Sequence, residues 1–126
     1  MGLKGNSTNW SLRMQPTIKF MHNWNNKLLC GLFTTIRSTT GDKYHYYRKL
    51  VGEKFSVELK SQEVGTAKLI YVKEETFREV HPLLLMLDTG YKSMTDVKKL
   101  FGRFGIKPES RVLILTFENT TQEGKV

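Results

Sequence analysis

Apolar and polar residues alternate in several short segments of the chain, and this spacing is typical of half-buried β-strands. In the clearest of these segments, Phe55, Val57 and Leu59 are separated by single polar residues. A continuous apolar run later in the chain predicts a buried, central strand. The other strands are predicted from alternation or from β-branched residues. The predicted strands are Thr17–Phe20, Thr34–Arg37, Phe55–Leu59, Ala67–Val72 and Val112–Phe117.

Apolar residues spaced three or four apart predict helices between these strands. A first helix is predicted over Asn23–Cys30, with Gly31 as its C-terminal cap. A second begins at the acidic residues Glu74 and Glu75 and breaks at Pro82, which lacks the backbone N–H that a helix interior needs. A third helix is predicted after Ser93, which can cap its N-terminus. Its apolar stripe contains Met94, Val97, Leu100, Phe101 and Phe104.

Helices and strands do not alternate regularly in this order, which argues against a doubly wound parallel sheet. We therefore expect an α+β fold, a small and mostly antiparallel β-barrel with flanking helices. The predicted domain spans residues 16–119. Residues 1–15 are predicted to be a flexible extension and residues 120–126 a C-terminal tail, because neither shows a hydrophobic period.

The chain of 126 residues has a net charge of +8, and this charge is unevenly distributed. Residues 1–60 contain ten basic and three acidic residues, a net charge of +7, whereas residues 61–126 have ten basic and nine acidic residues, a net charge of +1. Such a positive half can attract phosphates. It is also compatible with an ordinary basic surface, or with a targeting segment in the acid-free first 41 residues.

The composition argues against a membrane-spanning helix, an internal disulfide and a zinc site. No apolar run approaches the length of about 20 residues that spans a bilayer, so no membrane association is predicted. The single cysteine, Cys30, cannot form an internal disulfide, and no Cys/His spacing fits a zinc site. We expect a cytoplasmic, monomeric protein without a metal or other cofactor.

The segment Lys27–Arg37 contains the most suggestive chemistry. A helix that ends at Gly31 and turns into a strand would bring backbone N–H groups, the hydroxyls of Thr34 and Thr35 and the Arg37 guanidinium together. Donors in such an arrangement suit a phosphate, a carboxylate or the edge of a base. The alternative is that Gly31 is only a cap and that the other residues are ordinary strand residues.

This segment resembles the ASCH family, whose domains have a PUA-like β-barrel fold. The resemblance extends over residues 17–118, and five motifs in the same order carry it. These are Leu28–Gly31, Thr34–Arg37, Val51–Phe55, Val64–Leu69 and Asp88–Tyr91.

The resemblance implies contact with RNA or with a modified nucleoside, because PUA-like barrels bind RNA in several contexts and some small bacterial ASCH proteins are amidohydrolases of acetylated cytidine. Those enzymes are thought to use a lysine, a threonine and a glutamate. By position, the threonine would be Thr35 and the acid would fall near Asp88. Leu32 and Phe33 stand where the basic residue is expected, so Lys27 or Lys43 would have to supply the ammonium group.

A second cluster lies between Gly41 and Gly52, where tyrosines and a histidine interleave with basic residues. Single-stranded RNA is often bound by aromatic rings that stack on bases while cations contact phosphates. The alternative is that the tyrosines pack on the barrel. The residues predicted to contact RNA here are Lys43, Tyr44, Tyr46, Tyr47, Arg48 and Lys49, on a segment predicted to be a loop.

The leading hypothesis from the sequence is RNA binding by a basic cleft next to Gly31–Arg37, with Lys27, Thr34, Thr35 and Arg37 as ligand contacts. The alternative is an amidohydrolase of N-acylated cytidine-type nucleosides, with Thr35 as nucleophile and Asp88 as acid/base. A third possibility is a protein-interaction domain whose basic face binds an acidic partner.

Overall fold

The computed structural model describes residues 15–39 and 42–121, without the side chains of residues 24–26. These residues form five strands, three α-helices and two short 3₁₀ helices. The strands are β1 (Thr17–Phe20), β2 (Leu32–Ser38), β3 (Lys54–Leu59), β4 (Gln62–Thr76) and β5 (Arg111–Asn119). The α-helices are α1 (Lys43–Lys49), α2 (Pro82–Thr89) and α3 (Met94–Arg103), and the 3₁₀ helices are Trp24–Leu29 and Phe77–Glu79.

The strands form one curled sheet in the order β1-β3-β4-β5-β2. The pairs β3–β4, β4–β5 and β5–β2 are antiparallel, whereas the pair β1–β3 is parallel. This confirms the predicted α+β class and the mostly antiparallel, barrel-like sheet with flanking helices. The connection between β3 and β4 is a two-residue turn in which Lys60 and Ser61 both have positive φ, the conformation of a tight hairpin.

Strand β5 is buried on both faces and separates two apolar cores. Leu113, Leu115 and Phe117 belong to the inner core. Val112 and Ile114 point into the outer core, which helices α2 and α3 cover. Burial on both faces explains why this strand is continuously apolar rather than alternating.

The two edge strands, β1 and β2, approach each other but do not form a ladder. The Phe20 and Phe33 rings meet edge to face, with centroids 6.1 Å apart. The Arg37 side chain on β2 also reaches β1, where its Nη2 donates a hydrogen bond to the carbonyl oxygen of Lys19 at 2.7 Å. The sheet is therefore a half-barrel whose open side is spanned by side chains.

The segment between Gly41 and Gly52 is helix α1, so the prediction of a loop is wrong. Tyr44, Tyr47 and Leu50 are spaced three apart and pack on the inner core. Tyr47 stacks on Phe55 with the ring centroids 6.3 Å apart. A helix of seven residues is marginal in isolation, and this tertiary packing stabilises it.

The prediction of a helix starting at Glu74 is also wrong, because β4 continues to Thr76. Its last residues pair with β5, from Lys73 opposite Ile114 to Thr76 opposite Arg111. The expected break at Pro82 is confirmed, since helix α2 begins there.

Thr120 and Thr121, assigned to the predicted tail, hydrogen-bond to Thr66, and Thr120 is buried. The predicted extension 1–15 lies outside the described residues except for Gln15.

Candidate functional site

The gap between the two sheet edges opens into a cleft of about 500 Å³, which we call the edge cleft. Strands β1 and β2 form part of its wall, and helices α2 and α3, with the residues that follow α3, complete it. Clefts of about 300–1,000 Å³ are typical of small-molecule sites. The lining residues are Lys19, Phe20, Met21, His22, Lys27, Thr35, Ile36, Arg37, Ser38, Asp88, Thr89, Leu100, Phe101, Phe104 and Ile106.

A buried ion pair lies in the wall of this cleft. Lys27 comes from the first 3₁₀ helix and Asp88 from the last turn of α2, 61 residues later in the chain. The Lys27 ammonium donates a hydrogen bond of 2.9 Å to Asp88 Oδ1, and the two side chains are only 8% and 6% exposed. A buried pair of this kind is a weak source of stability, because desolvating two charges costs about as much as their attraction returns.

The surroundings shift both members of the pair toward their neutral forms. Burial lowers the pKa of Lys27, and the charge of Asp88 and its hydrogen bond only partly oppose this shift. Burial also raises the pKa of Asp88, against the opposing effects of Lys27, Thr34 and Arg37. Transfer of the proton from Lys27 to Asp88 is therefore easier here than in water. Ionisable groups perturbed in this way in a cleft are candidates for acid–base chemistry.

The threonines of β2 have separate partners because they lie on opposite faces of the strand. The Thr34 hydroxyl donates a hydrogen bond of 3.1 Å to Asp88 Oδ1, the same oxygen that accepts from Lys27. Asp88 Oδ1 therefore accepts hydrogen bonds from two different elements, the first 3₁₀ helix and β2.

Thr35 is buried in the cleft wall next to Arg37. The Arg37 Nε donates a hydrogen bond of 2.9 Å to Thr35 Oγ1, which leaves the Thr35 hydroxyl proton available to another acceptor. The Arg37 guanidinium is fixed at two further points, by its hydrogen bond to Lys19 and by its position 4.8 Å from the centroid of the Phe20 ring. A guanidinium fixed in this way is a preorganised donor.

Gly31 is not the C-terminal cap of an α-helix that the sequence predicted. The helix before it is a 3₁₀ helix whose C-cap residue, Cys30, has an extended backbone. The Gly31 carbonyl accepts a hydrogen bond from the Asn119 backbone, and Gly31 is not among the residues that line the cleft. The cationic residues that line the cleft are Lys19, Lys27 and Arg37.

The residues of α1 form a different surface. Tyr44, His45, Arg48 and Lys49 line a second, shallower hollow. Arg48 Nη1 donates a hydrogen bond of 2.9 Å to the Tyr44 hydroxyl, while Tyr46 is 53% exposed.

The structure thus separates the predicted RNA contacts into two groups. Thr35, Arg37 and Lys27 lie in the edge cleft with Asp88, and the α1 residues, including Lys43, lie outside it.

Tyr47 lies between these two groups. It packs on the inner core, and burial raises the pKa of its phenol. The charge of Arg37 opposes that shift, so the phenol of Tyr47 on α1 lies close enough to the edge cleft to be influenced by the Arg37 guanidinium.

Four residues that line the edge cleft were not predicted as site residues from the sequence. They are Met21, Thr89, Leu100 and Phe104. Thr89 follows Asp88 directly and donates a hydrogen bond to the Leu85 carbonyl at 2.9 Å. Phe104 was assigned to the apolar stripe of α3, yet it is 63% exposed at the cleft. The sequence contains the stripe but no signal that its last member turns outward.

In residues 15–39 and 42–121 no group of three or more His, Cys, Asp or Glu side chains could hold a metal ion. No helix in those ranges has the length and apolar character needed to cross a membrane.

Comparison with known proteins supports the fold. No protein-family model matches the chain, and a search of curated proteins finds no match. A crystal structure of protein EF3133 from Enterococcus faecalis, described by the family name DUF984, is similar with a TM-score of 0.51. The two sequences are 12% identical, and the alignment covers 94% of this chain and 92% of the other. At this identity the similarity shows a shared fold, and membership of the ASCH family stays a prediction.

Proposed function

We propose that the protein is an amidohydrolase that binds a modified nucleoside in the edge cleft and cleaves the amide on its base. The observation that supports this most strongly is the buried Lys27–Asp88 pair in the same cleft wall as Thr35 and Arg37. The sequence resemblance implied a threonine, an acid and a lysine, and Lys27 supplies the ammonium group that was missing near Leu32 and Phe33. The size of the cleft also suits one nucleoside better than an extended polynucleotide.

The proposed reaction begins with a proton transfer inside the ion pair. Lys27 gives a proton to Asp88, and the neutral amine then accepts the hydroxyl proton of Thr35 as Oγ1 attacks the amide carbon. The Arg37 guanidinium stabilises the negative charge that develops on the carbonyl oxygen. Asp88 protonates the exocyclic nitrogen as the C–N bond breaks. Water then hydrolyses the acyl ester on Thr35, so that one amide and one water give one carboxylic acid and one amine.

Incubation of the purified protein with acetylcytidine tests this proposal, with chromatography to detect cytidine and acetate. We expect product from the wild type and a loss of at least about 100-fold in the variant Thr35→Val, which keeps the side-chain shape. The matched control Thr17→Val changes an exposed threonine on β1 and should leave the rate unchanged. Absence of product from the wild type, or equal turnover by Thr35→Val, would contradict the proposal.

RNA binding without hydrolysis is the second candidate. The net charge of +7 on residues 1–60 and the exposed basic and aromatic residues of α1 favour it. Titration of a short single-stranded RNA at two salt concentrations tests it, because each neutralised phosphate adds to the salt dependence of the affinity.

In that experiment the double variant Arg48→Ala/Lys49→Ala should bind at least about tenfold more weakly. The double variant Lys98→Ala/Lys99→Ala removes the same charge from exposed positions of α3 and is the control. Affinity that does not depend on salt would exclude this candidate, and so would equal losses in the two double variants.

A further inference from the structure

Phe104 stands at the edge cleft with its ring exposed, although its position in the α3 stripe predicts burial. It is 63% exposed, and Met21, which follows β1, is 68% exposed and lines the same cleft. Single exposed apolar residues are common on protein surfaces. Here, however, two large apolar side chains from separate elements border one opening that leads to buried polar groups.

The backbone around Phe104 is fixed. Ile106 N–H donates to the Phe101 carbonyl at 3.0 Å and Gly105 N–H to the Gly102 carbonyl at 3.0 Å, and Gly105 has a φ of 78°. This is the Schellman arrangement that ends many helices. Phe101 and Ile106 are both buried in the outer core. Phe104 is therefore attached to a fixed turn, so a ligand that packs on the ring has to order only its side-chain torsions and not the backbone.

The chemistry of the edge cleft specifies what such a ring would contact. Lys27 and Arg37 supply donors, and Asp88 supplies an acceptor, all from one part of the wall. A complementary ligand has a polar edge for these groups and a flat apolar face for Phe104. A heteroaromatic base has both features, whereas an aliphatic amide has only the polar part.

We infer that Phe104, with Met21 at the border of the same cleft, stacks on the base of the ligand and selects amides attached to a nucleobase. This inference rests on the proposed function and specifies its substrate class. Phe104 acts on binding and takes no part in proton transfer, so its substitution changes KM and leaves kcat nearly unchanged.

Two substitutions separate stacking from simple apolar contact. Phe104→Leu keeps an apolar side chain without a flat face, and Phe104→Tyr keeps the flat face. For acetylcytidine we expect Phe104→Leu to raise KM about tenfold with kcat within about twofold, and Phe104→Tyr to restore KM to within about twofold. Val64→Ala, at an exposed apolar position on β4, is the control.

Calorimetric titration with cytidine provides a readout that does not depend on hydrolysis. We expect the Kd for cytidine to rise about tenfold in Phe104→Leu and to stay near the wild-type value in Phe104→Tyr. Unchanged KM and Kd in Phe104→Leu, or equal losses in both variants, would overturn the inference. If the wild type binds cytidine in this pattern but releases no acetate, the proposed reaction is wrong and the stacking role stands.

Discussion

The middle of the sheet and its open edge use buried positions in different ways. Strand β5, in the interior of the sheet, buries Leu113 and Leu115 completely, and both are apolar. At the open edge the buried side chains include Lys27, Thr35 and Asp88. The cross-strand pair of Leu115 and Thr35 shows the contrast at one register position, since the two residues lie opposite each other on β5 and β2.

This difference concerns what the buried residues of each region contribute to stability. Apolar side chains at the edge would give at least as much stability as a desolvated ion pair. The fold of the middle strands follows from hydrophobic burial, whereas the polar edge does not. We therefore interpret Lys27, Thr35 and Asp88 as functional residues.

The largest effect on stability is expected when one charge at the edge is left without its partner. Lys27→Met removes the ammonium group and leaves the Asp88 carboxylate buried, which should lower the free energy of unfolding by about 3–5 kcal/mol. Urea denaturation measures this loss. Lys49→Met, at an exposed position on α1, is the control and should change stability little. A loss below about 1 kcal/mol would show that the pair is more exposed to water than its geometry indicates.

A truncation in the middle of the sheet should affect stability without affecting the chemistry. Leu115→Ala leaves a cavity in the inner core and should cost about 2–5 kcal/mol, while kcat for acetylcytidine stays within about twofold at a temperature where the variant is folded. Thr35→Val, across the strand pair, leaves the Arg37 Nε–H without its acceptor and should cost about 1–3 kcal/mol and remove activity. Equal losses of stability and of activity in the two variants would contradict the contrast between the middle of the sheet and its open edge.

The smallest effect is expected at Tyr47, which contacts the inner core through Phe55 and lies near the charge of Arg37. Burial raises the pKa of the Tyr47 phenol above its ordinary value of 10.0. The neutral phenol is therefore favoured by folding, and its contribution to stability is present below pH 10 and is lost as the pH rises through the folded-state pKa. Wild type should therefore lose stability relative to Tyr47→Phe above pH 10, as measured by denaturation midpoints. Tyr46→Phe, compared with wild type in the same way, is the control. If wild type gained stability relative to Tyr47→Phe as the pH rises above 10, the raised pKa of Tyr47 would be contradicted.

The strands were predictable from the sequence because their hydrophobic period is local. Phe55, Val57 and Leu59 identify β3 without reference to any other part of the chain. The C-terminal part of β4 was missed because its charged residues favour a helix start, and only pairing with β5 makes it a strand. Helix α1 was missed for a similar reason, since it depends on Tyr44 and Tyr47 packing on the inner core.

The candidate site was predictable only in part. Thr35, Arg37 and Asp88 were singled out by motif, and Lys27 was named both as a ligand contact and as a possible substitute for the missing lysine. The contact between Lys27 and Asp88 joins residues 61 positions apart, and it depends on how the first 3₁₀ helix packs against α2. No local pattern contains that information. The exposure of Phe104 likewise depends on the turn that ends α3.

The double variant Lys27→Met/Asp88→Leu tests most directly whether the polar edge is retained for chemistry rather than for stability. It replaces both charges with apolar side chains, and its free energy of unfolding and its turnover of acetylcytidine are measured on the same preparation. We predict stability equal to or above that of the wild type, together with the loss of activity. A double variant that is as unstable as Lys27→Met alone, or one that still hydrolyses acetylcytidine, would contradict the account.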